Sequence, residues 1–263
     1  MSVGPLRVER PADGVALLTL NLPDRRNAMT AELTASWAAA VDVLREDRQI
    51  RCVVVTGAGS AFCAGGDLGW IAESPDLSVA ELRDRMLPFY RAWLSVRDLE
   101  VPVLAAVNGP AVGAGLCLAL ACDLRYAAER ARFAAPFTAL GMHPGMAATW
   151  LLPEAVGLGM ARELLFTGRA VDAQEAVAMG LVHRVFADDR LVEEVLAVAA
   201  TIAAQAPVAL RLTKVALARG GHPTLEDALA WEALAQPITM ATADLREGLR
   251  AQTERRPARF TGT

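Results

Sequence analysis

The stretch VPVLAAVNGPAVGAGLCLALACDL, Val101–Leu124, decides how this chain folds. Its first part, Val101–Val107, is a short apolar run rich in β-branched residues, which reads as a buried strand. Asn108-Gly109-Pro110 ends that run, since glycine and proline punctuate regular structure. A turn of glycine and alanine alone, Gly113-Ala114-Gly115, then opens an apolar run that favours helix. The first N–H groups of a helix have no intrahelical carbonyl to bond. Such a start aims unpaired donors at one point, where an anionic oxygen can sit. About 50 residues earlier, Cys52–Leu68 (CVVVTGAGSAFCAGGDL) has the same design, with a strand at Val53–Thr56 and a turn at Ala64-Gly65-Gly66. Two such turns facing each other would offer two donors to one oxyanion. That points to chemistry on a carbonyl.

Outward from these modules, Leu6–Leu22 alternates in the β manner and breaks at Asp13-Gly14, which predicts a hairpin. Thr30–Arg45 reads as a helix capped by Thr30, with Leu33, Trp37, Ala40, Val41 and Leu44 on one face. A helix from Val79 to about Arg97 carries Leu82, Met86, Phe89, Tyr90 and Trp93 as an apolar stripe. Strand-like Asp123–Ala127 and Arg132–Ala135 follow, then a turn at Met142–Pro144 and a helix over Ala147–Leu152. The pattern suggests a ββα unit used repeatedly. Beyond Arg190 the chain reads as helices over Leu191–Gln205, Val208–Arg219, Thr224–Gln236 and Ala241–Arg255, punctuated by Gly220-Gly221 and Pro237. We divide it into a core over 1–190 and a helical packing region over 191–263.

Composition narrows the function classes. The 263 residues are 54% hydrophobic and 21% charged, with a mean hydropathy of +0.30, apolar for a soluble monomer. The excess of Ala, Val and Leu implies surface buried between subunits. No apolar window reaches ~18 residues, which argues against a membrane span. The start, MSVGPLRVER, lacks a signal-peptide pattern, so a cytoplasmic protein is expected. A net charge of −4 argues against a nucleic-acid surface. Cys52, Cys63, Cys117 and Cys122 lack paired C-x-x-C spacing and read as reduced thiols, with no metal site expected. A dinucleotide fingerprint fails twice, because Phe62 and Leu118 stand where G-x-G-x-x-G needs its last glycine. Three histidines in these contexts, His143, His183 and His222, do not assemble a Ser/His/Asp set.

The chain resembles the enoyl-CoA hydratase/isomerase (crotonase) family over essentially its whole length. The carriers are PDRRNAM (Pro23–Met29), VVVTGAGSAFCAGGDL (Val53–Leu68), PVLAAVNGPAVGAGL (Pro102–Leu116), ACDLRYAAERARF (Ala121–Phe133), LGMHPG (Leu140–Gly145), ELLFTGRAVDAQEAVAMGLVHRV (Glu163–Val185) and ERRPARFTG (Glu254–Gly262). The resemblance implies an α/β fold, a crotonase-like spiral of ββα repeats with a C-terminal helical region that builds trimers, often paired into hexamers. It implies an acyl-CoA or enoyl-CoA as ligand, with coenzyme A as part of the substrate and no separate cofactor. It further implies that the N–H groups of Ala64 and Ala114 hold the thioester oxygen. Ala28, Gly65, Asp67, Leu68 and Gly113 line the ligand beside them, and Arg25, Arg26 and Arg255 are the candidate contacts of the CoA phosphates. For each arginine the plain alternative is a solvated surface charge.

The chain also departs from that pattern. Hydratases of the family use two glutamates to handle water and its protons; Cys117 stands at the first position and Phe137, after Pro136, at the second. A third acidic position used by other branches falls at Gly145. General acid–base groups contribute ~10²–10⁴ each, so ordinary crotonyl-CoA hydration should be slow. Cys117 reads as a buried space-filler or as a nucleophile or base, and Phe137 as a wall of the acyl pocket or as distant packing. His143 could titrate near neutrality and deliver a proton, or simply face solvent. Asp67 and Asp123 read as structural, and Glu73 and Asp76 belong to a loop that could approach the acyl chain. The reading is therefore an acyl- or enoyl-CoA-binding crotonase-like protein. The rivals are a non-catalytic acyl-CoA binder and another enolate chemistry, such as double-bond isomerisation or decarboxylation.

Overall fold

The computed structural model describes residues 4–67, 69, 76–217, 221 and 223–263. Leu6–Ala12 (β1) and Val15–Leu20 (β2) form the expected antiparallel hairpin, with Ala12 opposite Val15 and Leu6 opposite Leu20. Its turn needs left-handed backbone at Gly14 (φ +70°), which glycine adopts without a Cβ penalty. The other strands are Cys52–Gly57 (β3), Val103–Val107 (β4), Ala111–Val112 (β5), Leu124–Ala128 (β6), Arg132–Ala134 (β7), Ala170–Asp172 (β8) and Arg184–Phe186 (β9). They build a six-stranded sheet in the order β1-β2-β3-β4-β6-β9, parallel from β2 onward, and a small sheet β5-β7-β8.

Every residue of β2, β3 and β4 is buried, as a parallel sheet covered on both faces requires. Side chains alternate between the two covers. Ala16, Leu18, Val53, Val55, Val103 and Ala105 join a core with Leu33, Trp37 and Val41 of Ala31–Glu46 (α1) and Trp93 of Val79–Leu94 (α2). Trp37 and Trp93 stack with ring centroids 5.1 Å apart, and the Trp93 indole donates to Thr34 at 2.9 Å. Both helices begin on hydroxyl caps, Thr30 for α1 and a reciprocal Ser78–Glu81 box for α2. Ala114–Ala121 (α3), Ala148–Thr167 (α4) and Ala173–Ala178 (α5) follow. The ββα succession predicted from sequence appears as β1-β2-α1, β4-β5-α3 and β6-β7-α4.

The opposite face of the sheet, with Val15, Leu17, Cys52, Val54, Leu104 and Ala106, is covered by Leu191, Val195 and Ala199 of Leu191–Ala203 (α6). The helical region set apart from residue 191 onward therefore begins with a helix that shares the sheet's core. Pro207–Leu217 (α7), Leu225–Met240 (α8) and Ala243–Glu254 (α9) complete the chain. Lys214 ties α7 to the core through Asp123 at 2.9 Å and the Val101 carbonyl at 2.7 Å.

Two helices outrun the sequence reading. α4 continues from Leu152 to Thr167 across a non-helical Gly157. α8 continues through Pro237 to Met240, because a proline removes a bond to the preceding turn while its own φ remains helical. Among the described residues no single helix is long and apolar enough to cross a membrane. Leu225, Leu229 and Leu234 of α8 and Leu249 of α9 are exposed.

Candidate functional site

The two glycine-alanine turns meet backbone to backbone. Cys63 pairs with Ala111 as an isolated parallel bridge, Val112 N–H donates to the Cys63 carbonyl at 3.0 Å, and Cys63 N–H donates to Pro110 at 3.2 Å. A Cβ on Gly65 (φ +97°) would lie 2.6 Å from the Val112 carbonyl oxygen and 3.3 Å from the Ala114 nitrogen. A Cβ on Gly115 would lie 2.1 Å from the Cys63 carbonyl oxygen. Only glycine permits this approach, so the facing of the two turns follows from residue type.

Two buried asparagines brace the approach to the first turn. Asn27 Oδ1 accepts from Leu22 N–H at 2.9 Å, and its amide donates to the carbonyls of Ala58 at 3.0 Å and Ala61 at 2.8 Å. Asn108 Oδ1 accepts from Gly57 N–H at 3.0 Å, and its amide reaches Gly59 at 3.1 Å and Ala61 at 3.3 Å. Both side chains thus converge on one carbonyl from different segments. The NAM and NGP motifs hold these two asparagines, whose bracing role is visible only once the segments meet.

Ala114 is the first residue of α3, preceded by Gly113 at φ +55°. Its N–H stands where no intrahelical carbonyl reaches, at the positive end of the helix dipole. Ala64 differs: its N–H donates to the Arg26 carbonyl at 2.9 Å. Arg26 and Asn27 hold that carbonyl in place with left-handed backbone, φ 50° and 55°. Such non-glycine conformations cost ~1–3 kcal/mol each and persist only where surroundings enforce them. Ala64 can therefore serve an oxyanion only by sharing its proton between two acceptors or by a shift of the Arg26 peptide.

The side chains near Ala114 are mostly apolar. The Phe137 ring lies 3.7 Å from where a Gly113 Cβ would stand, against the second turn. Cys117, one helical turn after Ala114, is buried, with its Sγ 3.7 Å from the Gly145 carbonyl. Burial pushes its thiol up to about 12, with Cys63 raised alike, so neither is a base near neutral pH. The Tyr90 hydroxyl fills the space beside Gly145, 2.5 Å from where a Cβ would stand there. Burial, and then the neighbouring Cys117, raise the Tyr90 phenol above its ordinary value. Helical periodicity places Tyr90 on an apolar stripe, and its hydroxyl, which needs a partner when buried, is the signal that it does more than pack.

The remaining candidates spread around this centre. Asp67 pairs with the exposed Arg25 at 2.9 Å. Asp123 accepts from Val103 N–H at 2.7 Å and pairs with Lys214, a structural arrangement. Arg26 is exposed, Ala28 is half-buried, and Arg255 is exposed as the left-handed cap of α9. His143 is exposed, with Nδ1 2.8 Å from the Pro144 carbonyl. His183 holds Arg125 N–H at 3.1 Å and has its pKa lowered by burial. Asp76 is exposed, while Leu68, Glu73 and His222 lie outside the described residues.

Comparison with known proteins gives a consistent result. Residues 10–263 match the family described as enoyl-CoA hydratase/isomerase. A crotonyl-CoA hydratase from Syntrophomonas wolfei is 36% identical over 247 residues, covering 94% of each chain. A short-chain-enoyl-CoA hydratase from Clostridium acetobutylicum is 35% identical, covering 92% of each. The crystal structure of an enoyl-CoA hydratase from Bacillus anthracis superposes with a TM-score of 0.92 at 35% identity, covering 98% of this chain and all of that one.

Proposed function

Since this chain belongs to the enoyl-CoA hydratase/isomerase family and has its crotonase-like α/β fold, we propose that it binds an acyl- or enoyl-CoA and polarises the thioester carbonyl. The observation that carries this reading is the backbone-to-backbone seating of Gly65 against the Ala114 nitrogen. In it, the Ala114 N–H is the standing donor to the thioester oxygen. Ala64 N–H joins as a second donor when it shares its proton with, or releases, the Arg26 carbonyl. Preorganised donors stabilise the charge that grows on an enolate oxygen, and one of them is worth ~10²–10³ in rate. Phe137 and Cys117 form the wall along the acyl group, and Arg25, Arg26 and Arg255 are the cations that receive the CoA phosphates. His143, exposed on the loop before Gly145, is the candidate that delivers a proton to the enolate.

In this reading ordinary hydration is slow. Cys117, Phe137 and Gly145 place no carboxylate where the resemblance puts acid–base groups, and a thiol near pKa 12 does not replace one. The apolar residues exposed on α8 and α9 support assembly of this cytoplasmic protein as a homotrimer or hexamer. The test is hydration of crotonyl-CoA, followed by loss of the enoyl absorbance. The native chain should run near background, and Cys117→Glu/Phe137→Glu should run faster, provided that calorimetry and circular dichroism show the variant folded. Fast native hydration would overturn the reading of these positions. Thioester binding with no turnover of any enoyl-CoA would favour the non-catalytic binder. Isomerisation or decarboxylation would favour enolate chemistry.

A further inference from the structure

We propose that the Tyr90 hydroxyl is a specificity-determining hydrogen-bond donor for an oxygen carried on the acyl group, so that oxygen-substituted acyl thioesters bind in preference to plain alkyl ones. This inference rests on the thioester reading above. Tyr90 is half-buried, yet its hydroxyl makes no hydrogen bond to any described residue. It lies against Gly145, where any side chain would drive into it, since a Cβ would come within 2.5 Å. The Gly145 carbonyl is in turn 3.7 Å from the Cys117 Sγ. Cys117 sits three residues past Ala114 on α3, roughly 4–5 Å along the helix axis from the oxyanion donor. A thioester held at Ala114 with its acyl group running along α3, past the Cys117 wall of the reading above, would bring its third acyl carbon to the region that Tyr90, Cys117 and Gly145 share.

The chemistry of that region selects an acceptor. Phe137 and the buried thiol offer no strong hydrogen bond, so Tyr90 is the one hydroxyl in this group of residues. A phenol is protonated at neutral pH, and burial shifts this one further upward, so the hydroxyl is a donor. A half-buried donor without a protein partner is unfavourable once a ligand excludes water from it. A plain alkyl chain would leave it in that state, and an acyl hydroxyl or ketone oxygen would satisfy it.

The experiment compares butyryl-CoA with 3-hydroxybutyryl-CoA by calorimetry on the native protein and on Tyr90→Phe, which keeps the ring. The native protein should favour the hydroxy ester roughly 3–10-fold, the ratio that one net hydrogen bond gives. Tyr90→Phe should abolish that preference while leaving butyryl-CoA affinity within about twofold of native. Equal native affinities would overturn this inference and leave the thioester reading standing. An equal fall for both esters in Tyr90→Phe would also overturn it, by assigning Tyr90 to structure alone. Binding of neither ester would remove both.

Discussion

Replacing Gly115 by alanine sets two physical effects against each other. On helix propensity the change is favourable by ~0.5–1 kcal/mol, because glycine loses more backbone entropy on folding. The structure opposes it. The new Cβ would stand 2.1 Å from the Cys63 carbonyl oxygen, 2.8 Å from its carbon and 2.9 Å from the Cys63 Cβ. Relieving the shortest contact to 3.0 Å requires a shift of 3.0 − 2.1 = 0.9 Å. The group that must move is backbone, fully buried and fixed by the 3.0 Å bond from Val112. Overpacking of this kind costs ~1–3 kcal/mol. Weakening the buried Val112–Cys63 bond adds ~1–3 kcal/mol. Gly115→Ala should therefore destabilise by roughly 1–5 kcal/mol, lowering the Tm by about 2–20 °C in a chain of this size. Gly159→Ala is the control, since Gly159 is an exposed helical glycine with open space around it. It should stabilise by ~0.5–1 kcal/mol. Urea unfolding followed by tryptophan fluorescence gives both values. Equal effects of the two substitutions would refute the close packing of the two turns.

Two further outcomes follow, one from buried thiols and one from exposed apolar residues. Cys52, Cys63, Cys117 and Cys122 have thiols pushed up to about 12 by desolvation, against 9.0 for a free thiol. Because the folded values are raised, the stability they contribute is complete below about pH 9 and is lost as pH rises toward about 12. The loss approaches ~1.4 kcal/mol per thiol per pH unit. Urea midpoints should fall between pH 8 and pH 10, and an unchanged midpoint would contradict the burial of these groups. The proposed assembly predicts a trimer or hexamer by light scattering at micromolar concentration, with the exposed apolar residues of α8 and α9 buried between subunits, and a monomer would contradict that proposal.

Much of this architecture is legible in the sequence because its signals are local. Alternation in Leu6–Leu22 gives the hairpin, and Thr30 marks the start of α1. The small residues at 64–66 and 113–115 announce a close backbone approach, and the structure brings the two segments together. What was hidden depends on tertiary context. Nothing in PDRRNAM tells that Arg26 adopts left-handed backbone and turns its carbonyl onto Ala64. Periodicity assigned the Tyr90 ring to a buried stripe but could not say where the hydroxyl would end. Composition grouped α6 with the later helices, although its leucine, valine and alanine face belongs to the sheet. His143 had a chemically attractive type and neighbourhood, and only the fold shows that its ring is exposed and held by Pro144.

In the proposed function a thioester carbonyl is polarised where the two turns meet. Isotope-edited infrared difference spectroscopy with crotonyl-CoA labelled with ¹³C at the thioester carbonyl reads that bond directly. On binding, the carbonyl stretch should move to lower frequency than in solution, because hydrogen bonds from the Ala114 and Ala64 N–H groups draw charge onto the oxygen. A ligand that binds with its carbonyl stretch unmoved would contradict the account.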